Sequence, residues 1–199
     1  DVFTTGILQR GRDGKLVEEG NGYQVDRSQR IRLGSADPDF TMGWRHDINY
    51  KNISLGLMIT GRFGGIVTSQ TQAFMDAFGV SKVSAEARDN GGVMLDGHRY
   101  DAERYYNTVG GQGLMSYYTY DATNVRLQEL SLTYSLPKKW LGDVFNNATI
   151  SFVGRNLFMF YRKAPFDPDM NGSTGTYNRS DFFMAPSLRN LGFSIKFSL

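Results

Sequence analysis

Hydrophobic and polar residues alternate with a period of two along residues 40–50 and again along residues 53–63. In the first run the apolar residues occupy even positions: Phe40, Met42, Trp44, Ile48 and Tyr50. In the second run they occupy odd positions: Ile53, Leu55, Leu57, Ile59 and Phe63. This alternation predicts two β-strands, each with one apolar face. A two-residue turn at Lys51-Asn52 pairs residues whose numbers sum to 103, which puts the apolar rows of both strands on one face. We expect Asn52 to tolerate the positive φ of such a turn.

Three later segments alternate in the same way and predict three more strands, over about residues 130–136, 148–160 and 191–199. Val125 and Leu127 are out of phase with the strand that begins at Leu130. A β-bulge near Gln128–Glu129 would restore the phase. A further strand end is expected near Phe3–Gln9.

The connections between these strands differ greatly in length. The predicted turns at 51–52 and 137–147 are short, whereas the loops at about 64–118 and 161–187 are long. In the first long loop, Thr68 or Ser69 could cap a short helix that ends at Gly79, and a second helix is expected around Ser84–Arg88.

Strands with one apolar and one polar row fit either a half-buried β-sandwich or an outer-membrane barrel. Five consecutive antiparallel strands place both short turns on one side and both long loops on the other, as outer-membrane barrels do. Five or six strands cannot close a barrel, which needs at least about eight, and an open edge in lipid leaves backbone groups unsatisfied. Either the barrel interpretation is wrong or the chain is one arc of a larger barrel.

Composition excludes several other classes of protein. The 199 residues include 23 Gly, 14 Phe, 11 Tyr and 2 Trp. The net charge of +2 produces no strong electrostatic field that would attract nucleic acid. No Cys and two His are present, which excludes disulfides, a thiol nucleophile and a His-rich metal centre. No run approaches the ~18 apolar residues of a transmembrane helix. The chain begins at Asp1 without a signal peptide, so we expect a processed product or a piece of something longer.

An ordered series of motifs resembles the C-terminal region of SusC/RagA-type TonB-dependent transporters. The motifs lie within residues 34–169, and the closing strand extends the match to the end of the chain. In order they are Gly34-x-x-x-Pro38-Asp39-Phe40, Gly61-Arg62-Phe63-Gly64-Gly65, Arg88-Asp89-x-Gly91-Gly92, Tyr120-Asp121-Ala122-Thr123, Val125-Arg126-Leu127-x-Glu129-Leu130-x-Leu132-x-Tyr134-x-Leu136-Pro137, Gly154-Arg155-Asn156-Leu157-Phe158 and Asp167-Pro168-Asp169. Each motif is weak alone, whereas the ordered set is specific.

The resemblance implies an all-β fold: the last five or six antiparallel strands of a 22-stranded outer-membrane β-barrel, with long extracellular loops that carry short helices. Residues 1–199 would then be the C-terminal part of the barrel, and the plug domain and TonB box would lie outside them. Such importers take up oligosaccharides or peptides in Bacteroidetes-like bacteria, are driven by TonB and carry a SusD-like surface lipoprotein as a lid. No catalysis and no cofactor are expected.

On this interpretation the two rows of the strands face different media. We expect the polar row to face the lumen or plug: Arg45, Asp47, Arg126, Glu129 and Arg155. We expect the apolar row to face lipid: Trp44, Ile48, Leu55, Ile59, Phe193 and Phe197.

A group of tyrosines near the first long loop is a candidate for ligand binding, because aromatic rings stack on sugar faces. Packing within the loop or a place in the interfacial girdle is the alternative. The candidates are Tyr105, Tyr106, Tyr117 and Tyr118. A soluble β-sandwich carbohydrate-binding module that uses these tyrosines is the second functional hypothesis. A third, a secreted all-β hydrolase, lacks a visible carboxylate pair.

Asp167, Asp169 and Asn171 match the first half of a calcium-binding loop, where oxygens at alternate positions converge on one cation. Asn178 occupies the position of the closing Glu, and no flanking helices are predicted. The segment is therefore expected to be an ordinary loop without a metal.

Overall fold

The computed structural model describes residues 1–142, 145–169 and 180–198. Asn171, Asn178 and Leu199, which entered the sequence-based predictions, lie outside the described residues. The β-strands are β1 (Val2–Leu8), β2 (Glu18–Glu19), β3 (Gly22–Tyr23), β4 (Val25–Gly34), β5 (Phe40–Tyr50), β6 (Ile53–Phe63), β7 (Ile66–Ser69), β8 (Val93–Leu95), β9 (His98–Tyr100), β10 (Thr119–Asp121), β11 (Asn124–Ser135), β12 (Asn147–Arg162), β13 (Ser180–Asp181) and β14 (Asn190–Ser198). The α-helices are α1 (Gln70–Ala77), α2 (Lys82–Asp89) and α3 (Ala102–Val109), and short 3₁₀ helices span Met115–Tyr117 and Lys138–Trp140.

The chain divides into two compact units. The sheet unit comprises Pro38–Gly64, Ala122–Asp169 and Pro186–Leu199. The loop unit comprises Asp1–Asp37, Gly65–Asp121 and Met170–Ala185. The sheet unit therefore holds all the long strands predicted from the alternating pattern. The loop unit holds the long connections.

The sheet unit is one antiparallel sheet with the strand order β14-β12-β11-β6-β5. The β5–β6 register runs from Phe40 opposite Phe63 to Tyr50 opposite Ile53, so the predicted sum of 103 is confirmed. One detail of the turn differs from the prediction: Lys51 has the positive φ of 51°, not Asn52. Since a cation–π contact holds the Lys51 ammonium 5.2 Å from the Tyr50 ring, this lysine packs locally against its own strand.

The predicted bulge is confirmed. The register shifts between Leu127 and Glu129 on both sides of β11. Leu127 therefore pairs with Ile59 and Glu129 with Met58, which keeps the apolar and polar residues on their own faces. In β12, Asn156 has a φ of 57°, an irregularity that was not predicted.

The two short connections of the sheet lie side by side. The Ser135 N–H donates to the Asn52 carbonyl (2.8 Å), which joins the 51–52 turn to the end of β11. The Leu136 N–H donates to the Ala148 carbonyl (2.8 Å) across the next turn. All the longer connections therefore leave the sheet at its opposite end, as predicted from strand direction.

The loop unit has its own hydrophobic core, built from residues that are far apart in sequence. The buried members are Leu8, Leu16, Tyr23, Ala73, Tyr100, Ala102, Tyr105, Tyr106, Val109, Leu114 and Tyr118. Hydrogen bonds join residues 1–37 to residues 65–121: the Tyr23 N–H donates to Thr108 Oγ1 (2.9 Å) and the Leu16 N–H to the Tyr100 hydroxyl (3.1 Å). The N-terminal segment, which the pattern left mostly without structure, is thus ordered by tertiary contacts.

Two of the three helices were predicted. Ser69 caps α1 by accepting from the Gln72 N–H (3.0 Å), and Ser81 caps α2 by accepting from the Ser84 N–H (3.0 Å). Helix α3 was missed, although Asp101 caps it by accepting from the Arg104 N–H (2.9 Å). No helix in the described part of the chain has the length and apolarity to cross a membrane.

Glycine at position 110 allows α3 to approach α1 closely. A Cβ placed at Gly110 would overlap the backbone carbonyl oxygen of Ala73 and lie 3.0 Å from that of Tyr106. Because Ala73 lies in α1, room for a Cβ at position 110 would require α1 and α3 to move apart.

We expect Gly110→Ala to lower the free energy of unfolding by about 1–3 kcal/mol, since the added methyl overpacks a backbone contact. Amide hydrogen exchange in α1 and α3 should be faster in this variant than in the wild type, because the contact between the two helices is weakened. Gly43→Ala is the control, because a Cβ at Gly43 meets no atom within 4 Å. Unchanged exchange in both helices of the Gly110 variant would contradict this account.

Candidate functional site

One face of the five-stranded sheet is apolar from edge to edge. The rung that starts at Ile48 crosses all five strands through Leu55, Leu132, Phe152 and Phe193. Neighbouring rungs continue the same face, since Trp44 pairs with Ile59 and Ala148 with Phe197. The six residues predicted to share one row therefore do so.

This apolar face is largely exposed. Trp44 is 50% exposed, Phe193 67% and Phe197 61%. The remaining large hydrophobic residues of these strands that are exposed are Phe40, Met42, Ile48, Tyr50, Ile53, Leu132, Phe152, Phe158, Phe160, Tyr161, Leu191 and Ile195. A continuous apolar surface of this kind marks a face that another apolar medium or molecule covers.

Aromatic residues concentrate towards both ends of the apolar face. At the end of the long connections, the rings of Phe40 and Phe63 stack with centroids 4.6 Å apart. At the end of the short turns, Tyr50 is exposed and Phe145 packs 5.2 Å from Phe197. Phe40 and Tyr50 are ten residues apart on β5, about 33 Å along the strand. A barrel tilt of ~35–45° reduces this to about 25 Å, the height of an outer-membrane apolar band.

The opposite face is polar and lined by small residues. Arg45, Met58, Glu129, Arg155 and Asn190 form one rung across it. The next rung contains Asp47 and Gly56. All five residues predicted for the polar row lie on this face, because Arg126 pairs with Thr60 in the same phase.

Two ion pairs and a tight contact organise this polar face. Arg45 Nε lies 2.9 Å from Asp47 Oδ2, and Arg155 Nε lies 2.9 Å from Glu129 Oε2. A Cβ at Gly56 would come within 2.5 Å of Ser131 Oγ and 3.1 Å of Asp47 Oδ1. The side chains of Ser131 and Asp47 therefore occupy the space that a side chain at position 56 would need.

Arg126 is the centre of a buried ionic cluster. Its Nη2 atom lies 2.7 Å from Asp167 Oδ1 and 2.6 Å from Asp169 Oδ2, and 7% of its side chain is exposed. Its Nη1 donates to Asn156 Oδ1 (3.2 Å). Arg62 adds a second cation 3.7 Å from Asp169 Oδ1. The cluster fastens the segment after β12 to the sheet.

Asp167 is held in its charged form. Burial alone raises the pKa of this carboxyl, but hydrogen bonds from Ser187, Arg126 and the Asp169 backbone outweigh burial and bring the pKa below its usual value. Arg62, Asn156 and Ser187 were not predicted for this site. Only Arg62 and Asn156 had a signal in the sequence, because both belong to the motifs that carry the resemblance.

Arg126 is paired with one carboxylate oxygen each of Asp167 and Asp169, the two acidic residues of the calcium-loop pattern. Across the described residues, no group of three or more His, Cys, Asp and Glu side chains could hold a metal ion. The third candidate, Asn171, lies outside the described residues. The arrangement found here is an arginine–carboxylate cluster.

The four candidate tyrosines all lie in the loop unit. Tyr105, Tyr106 and Tyr118 are 8%, 9% and 3% exposed and belong to its core, while Tyr117 is 38% exposed. The Tyr117 hydroxyl accepts from the Leu8 N–H (3.4 Å). Burial raises the pKa of Tyr105 to about 12 and also raises that of Tyr118. Three of these rings thus pack against protein, which corresponds to the loop-packing alternative.

Two curated proteins of Formosa agariphila are similar to the chain in sequence. TonB-dependent receptor P3 is 29% identical over 188 residues, which cover 90% of this chain and 18% of the receptor. TonB-dependent receptor P26 is 26% identical over 156 residues, which cover 76% of this chain and 15% of the receptor. The chain therefore spans less than a fifth of the curated relatives it matches. No protein-family model matches it.

Solved structures show the same fold. The RagAB peptide importer in its open-open state matches 99% of this chain and 22% of its own chain, with a TM-score of 0.65 at 16% identity. The closed-closed state of the same importer has a TM-score of 0.59 at 15% identity, and the match covers 98% of this chain and 21% of its own chain. The resemblance to TonB-dependent receptors and the partial receptor-barrel fold, both predicted from the motifs, are confirmed.

We expect Asp167→Asn to lower the free energy of unfolding by about 1–3 kcal/mol near neutral pH, because Arg126 loses a charged acceptor. The folded pKa of Asp167 is depressed, so its contribution exists above the unfolded pKa of ~3.9 and is lost as pH falls through the folded pKa. The difference between wild type and variant should therefore shrink on acidification. Unfolding in urea at several pH values measures it.

Asp47→Asn is the control for this prediction, since it breaks an exposed ion pair with Arg45 and should change the stability little. A stability difference between wild type and Asp167→Asn that stays constant from neutral to acidic pH would contradict the role given to the Asp167 charge.

Proposed function

We propose that this chain, which resembles TonB-dependent receptors over most of its length, forms part of the barrel wall of a SusC/RagA-type outer-membrane importer. The observation that carries the proposal is the five-stranded sheet with one exposed apolar face and one polar face. Soluble monomers rarely expose apolar patches larger than a few hundred Å². Lipid covers such a face without desolvating any polar group.

The two faces then have separate roles. The apolar row faces lipid through Trp44, Ile48, Leu55, Ile59, Phe193 and Phe197. The polar row faces the lumen or plug through Arg45, Asp47, Arg126, Glu129 and Arg155. The ion pairs Arg45–Asp47 and Arg155–Glu129 support this assignment, because both would be costly in hydrocarbon.

The two edge strands of the sheet support the proposal that it is part of a larger barrel. Among the described strands, β5 and β14 each have a strand on one side only. In lipid, each unpaired backbone N–H or C=O costs several kcal/mol, so other strands of the same barrel must pair with both edges. A 22-stranded barrel, of which this chain is the C-terminal part, meets that requirement.

The ends of the sheet fix its orientation in this proposal. Outer-membrane barrels have short periplasmic turns and longer extracellular loops. The turns at 51–52 and 137–146 are therefore periplasmic, and the loop unit is extracellular. There it contributes to the substrate entrance and to docking of a SusD-like lipoprotein, while TonB acts through a plug domain outside residues 1–199.

Transport, not catalysis, is the role proposed for the chain. The curated relatives are named as receptors, and the similar structures are described as a peptide importer. The proposed substrates are oligosaccharides or peptides. A soluble β-sandwich carbohydrate-binding module is disfavoured, because a sandwich buries the apolar row that is exposed here and because Tyr105, Tyr106 and Tyr118 are buried.

Growth of the bacterium that carries the protein tests the function directly. A strain without the protein should fail to grow when an oligosaccharide or a peptide mixture is the sole carbon source, and complementation should restore growth. The nutrient on which growth fails identifies the substrate class. Normal growth of the deletion strain on every such nutrient would overturn the importer role.

Ile59→Lys tests the lipid-facing assignment. A lysine near the middle of the apolar band costs about 2–4 kcal/mol in a transmembrane barrel, so less folded protein should reach the outer membrane. Met58→Lys is the matched control, since Met58 lies on the opposite face between Arg45 and Glu129. Heat-modifiable electrophoretic mobility of membrane fractions reports the folded fraction. Equal losses in both variants would contradict the assignment.

A further inference from the structure

The three helices of the loop unit surround a cleft of about 200 Å³. Its walls come from the end of α1, from α2 and from the first turns of α3. The polar residues that line it are Asp76, Ser84, Arg88, Glu103, Tyr106 and Asn107. No part of the barrel wall proposed above is needed to form it.

Asp76 is a buried carboxyl group with no cation paired to it among the described residues. The residue is 5% exposed, and its Oδ1 accepts from the Gln72 side-chain amide (2.7 Å). The Tyr118 hydroxyl is its other hydrogen-bond partner. Both donors are neutral, and no ion pair reaches Asp76 from any described residue. Buried carboxylates are ordinarily paired with a cation, because an isolated one is costly to desolvate.

Tyr106 contributes a second polar group to the lining of the same cleft. It is 9% exposed, and its ring packs edge-on against Tyr105 with centroids 5.2 Å apart. Its hydroxyl makes no hydrogen bond to any of the described residues. Burial raises the pKa of Tyr106, and the electrostatic effect of Asp76 raises it further, so the hydroxyl stays protonated. A polar ligand in the cleft can therefore hydrogen-bond to this hydroxyl without displacing a protein partner.

The other charged and hydroxyl groups of the cleft either donate hydrogen bonds to backbone carbonyls or are exposed. Arg88 Nη1 donates to the Gly79 carbonyl (2.7 Å), which keeps this guanidinium on the wall of the cleft. The Ser84 hydroxyl is turned back to the Ser81 carbonyl (3.0 Å). Glu103 is exposed at the start of α3. Two carboxylates and one guanidinium give the lining a formal charge of −1.

We propose that this cleft binds the cationic head of an organic ligand, an ammonium or guanidinium group, with Asp76 as the counter-charge and the Tyr106 hydroxyl as a second polar contact. The volume is below the ~300–1,000 Å³ of pockets for drug-sized molecules, so it admits one side chain or a small amine. A free amine and a basic side chain share this chemistry.

Calorimetric titration of the intact protein in detergent micelles tests the site with two probes. The first is n-butylammonium chloride, a free amine, and the second is N-acetyl-lysine amide, which carries its ammonium on a side chain. We expect saturable binding of at least one probe and none of 1-pentanol, the neutral analogue. Comparison of the two probes distinguishes a free cation from a side chain.

Three variants make the test specific. Asp76→Asn, which preserves shape, should weaken binding at least tenfold, about 1.4 kcal/mol. Tyr106→Phe should weaken probe binding about three- to tenfold. This variant tests the site even if Asp76→Asn fails to fold. Glu86→Gln, which removes an exposed carboxylate on α2 that pairs with Lys82, should leave affinity within twofold.

Absence of saturable binding, equal binding of 1-pentanol, or unchanged affinity in both Asp76→Asn and Tyr106→Phe would overturn the proposal. These results would leave the importer function untouched, because growth and membrane insertion are measured separately.

Discussion

Strand register is the constraint on which this structure depends. Because side chains alternate between the two faces of a sheet, a slip of one residue between any two strands would move charged groups into the apolar row. The Ile48 rung shows the result of correct register: it stays apolar across five strands. The bulge between Leu127 and Glu129 belongs to the same constraint, since without it Leu127 would lie on the polar face.

The two units of the chain differ in whether their hydrophobic residues are exposed or buried. The sheet unit leaves its apolar row exposed and makes its buried polar contacts around Arg126. The loop unit instead encloses tyrosines, whose rings supply apolar area and whose hydroxyls can bond to backbone groups such as the Leu16 N–H. A single average hydrophobicity for the chain hides this difference.

The local features of the fold were predictable because their signals are local. The β5–β6 hairpin follows from alternation and a two-residue turn, and Ser69 and Ser81 cap α1 and α2 with their own side chains. Helix α3 was missed because its buried residues include the adjacent pair Tyr105 and Tyr106, which the sequence pattern suggested as ligand or girdle aromatics. Strand β4 was missed because its partner, β1, is separated from it by a long polar segment.

The sequence by itself determined which residues share a face, since the period of two follows from backbone geometry alone. It also determined the position of the bulge and the inequality of the connections. Only the tertiary structure decided which polar and aromatic residues are buried. Asp167 meets Arg126 across 41 positions, and Tyr100 reaches the Leu16 backbone across 84. Such contacts depend on how distant segments pack, and no local pattern of residues encodes that packing.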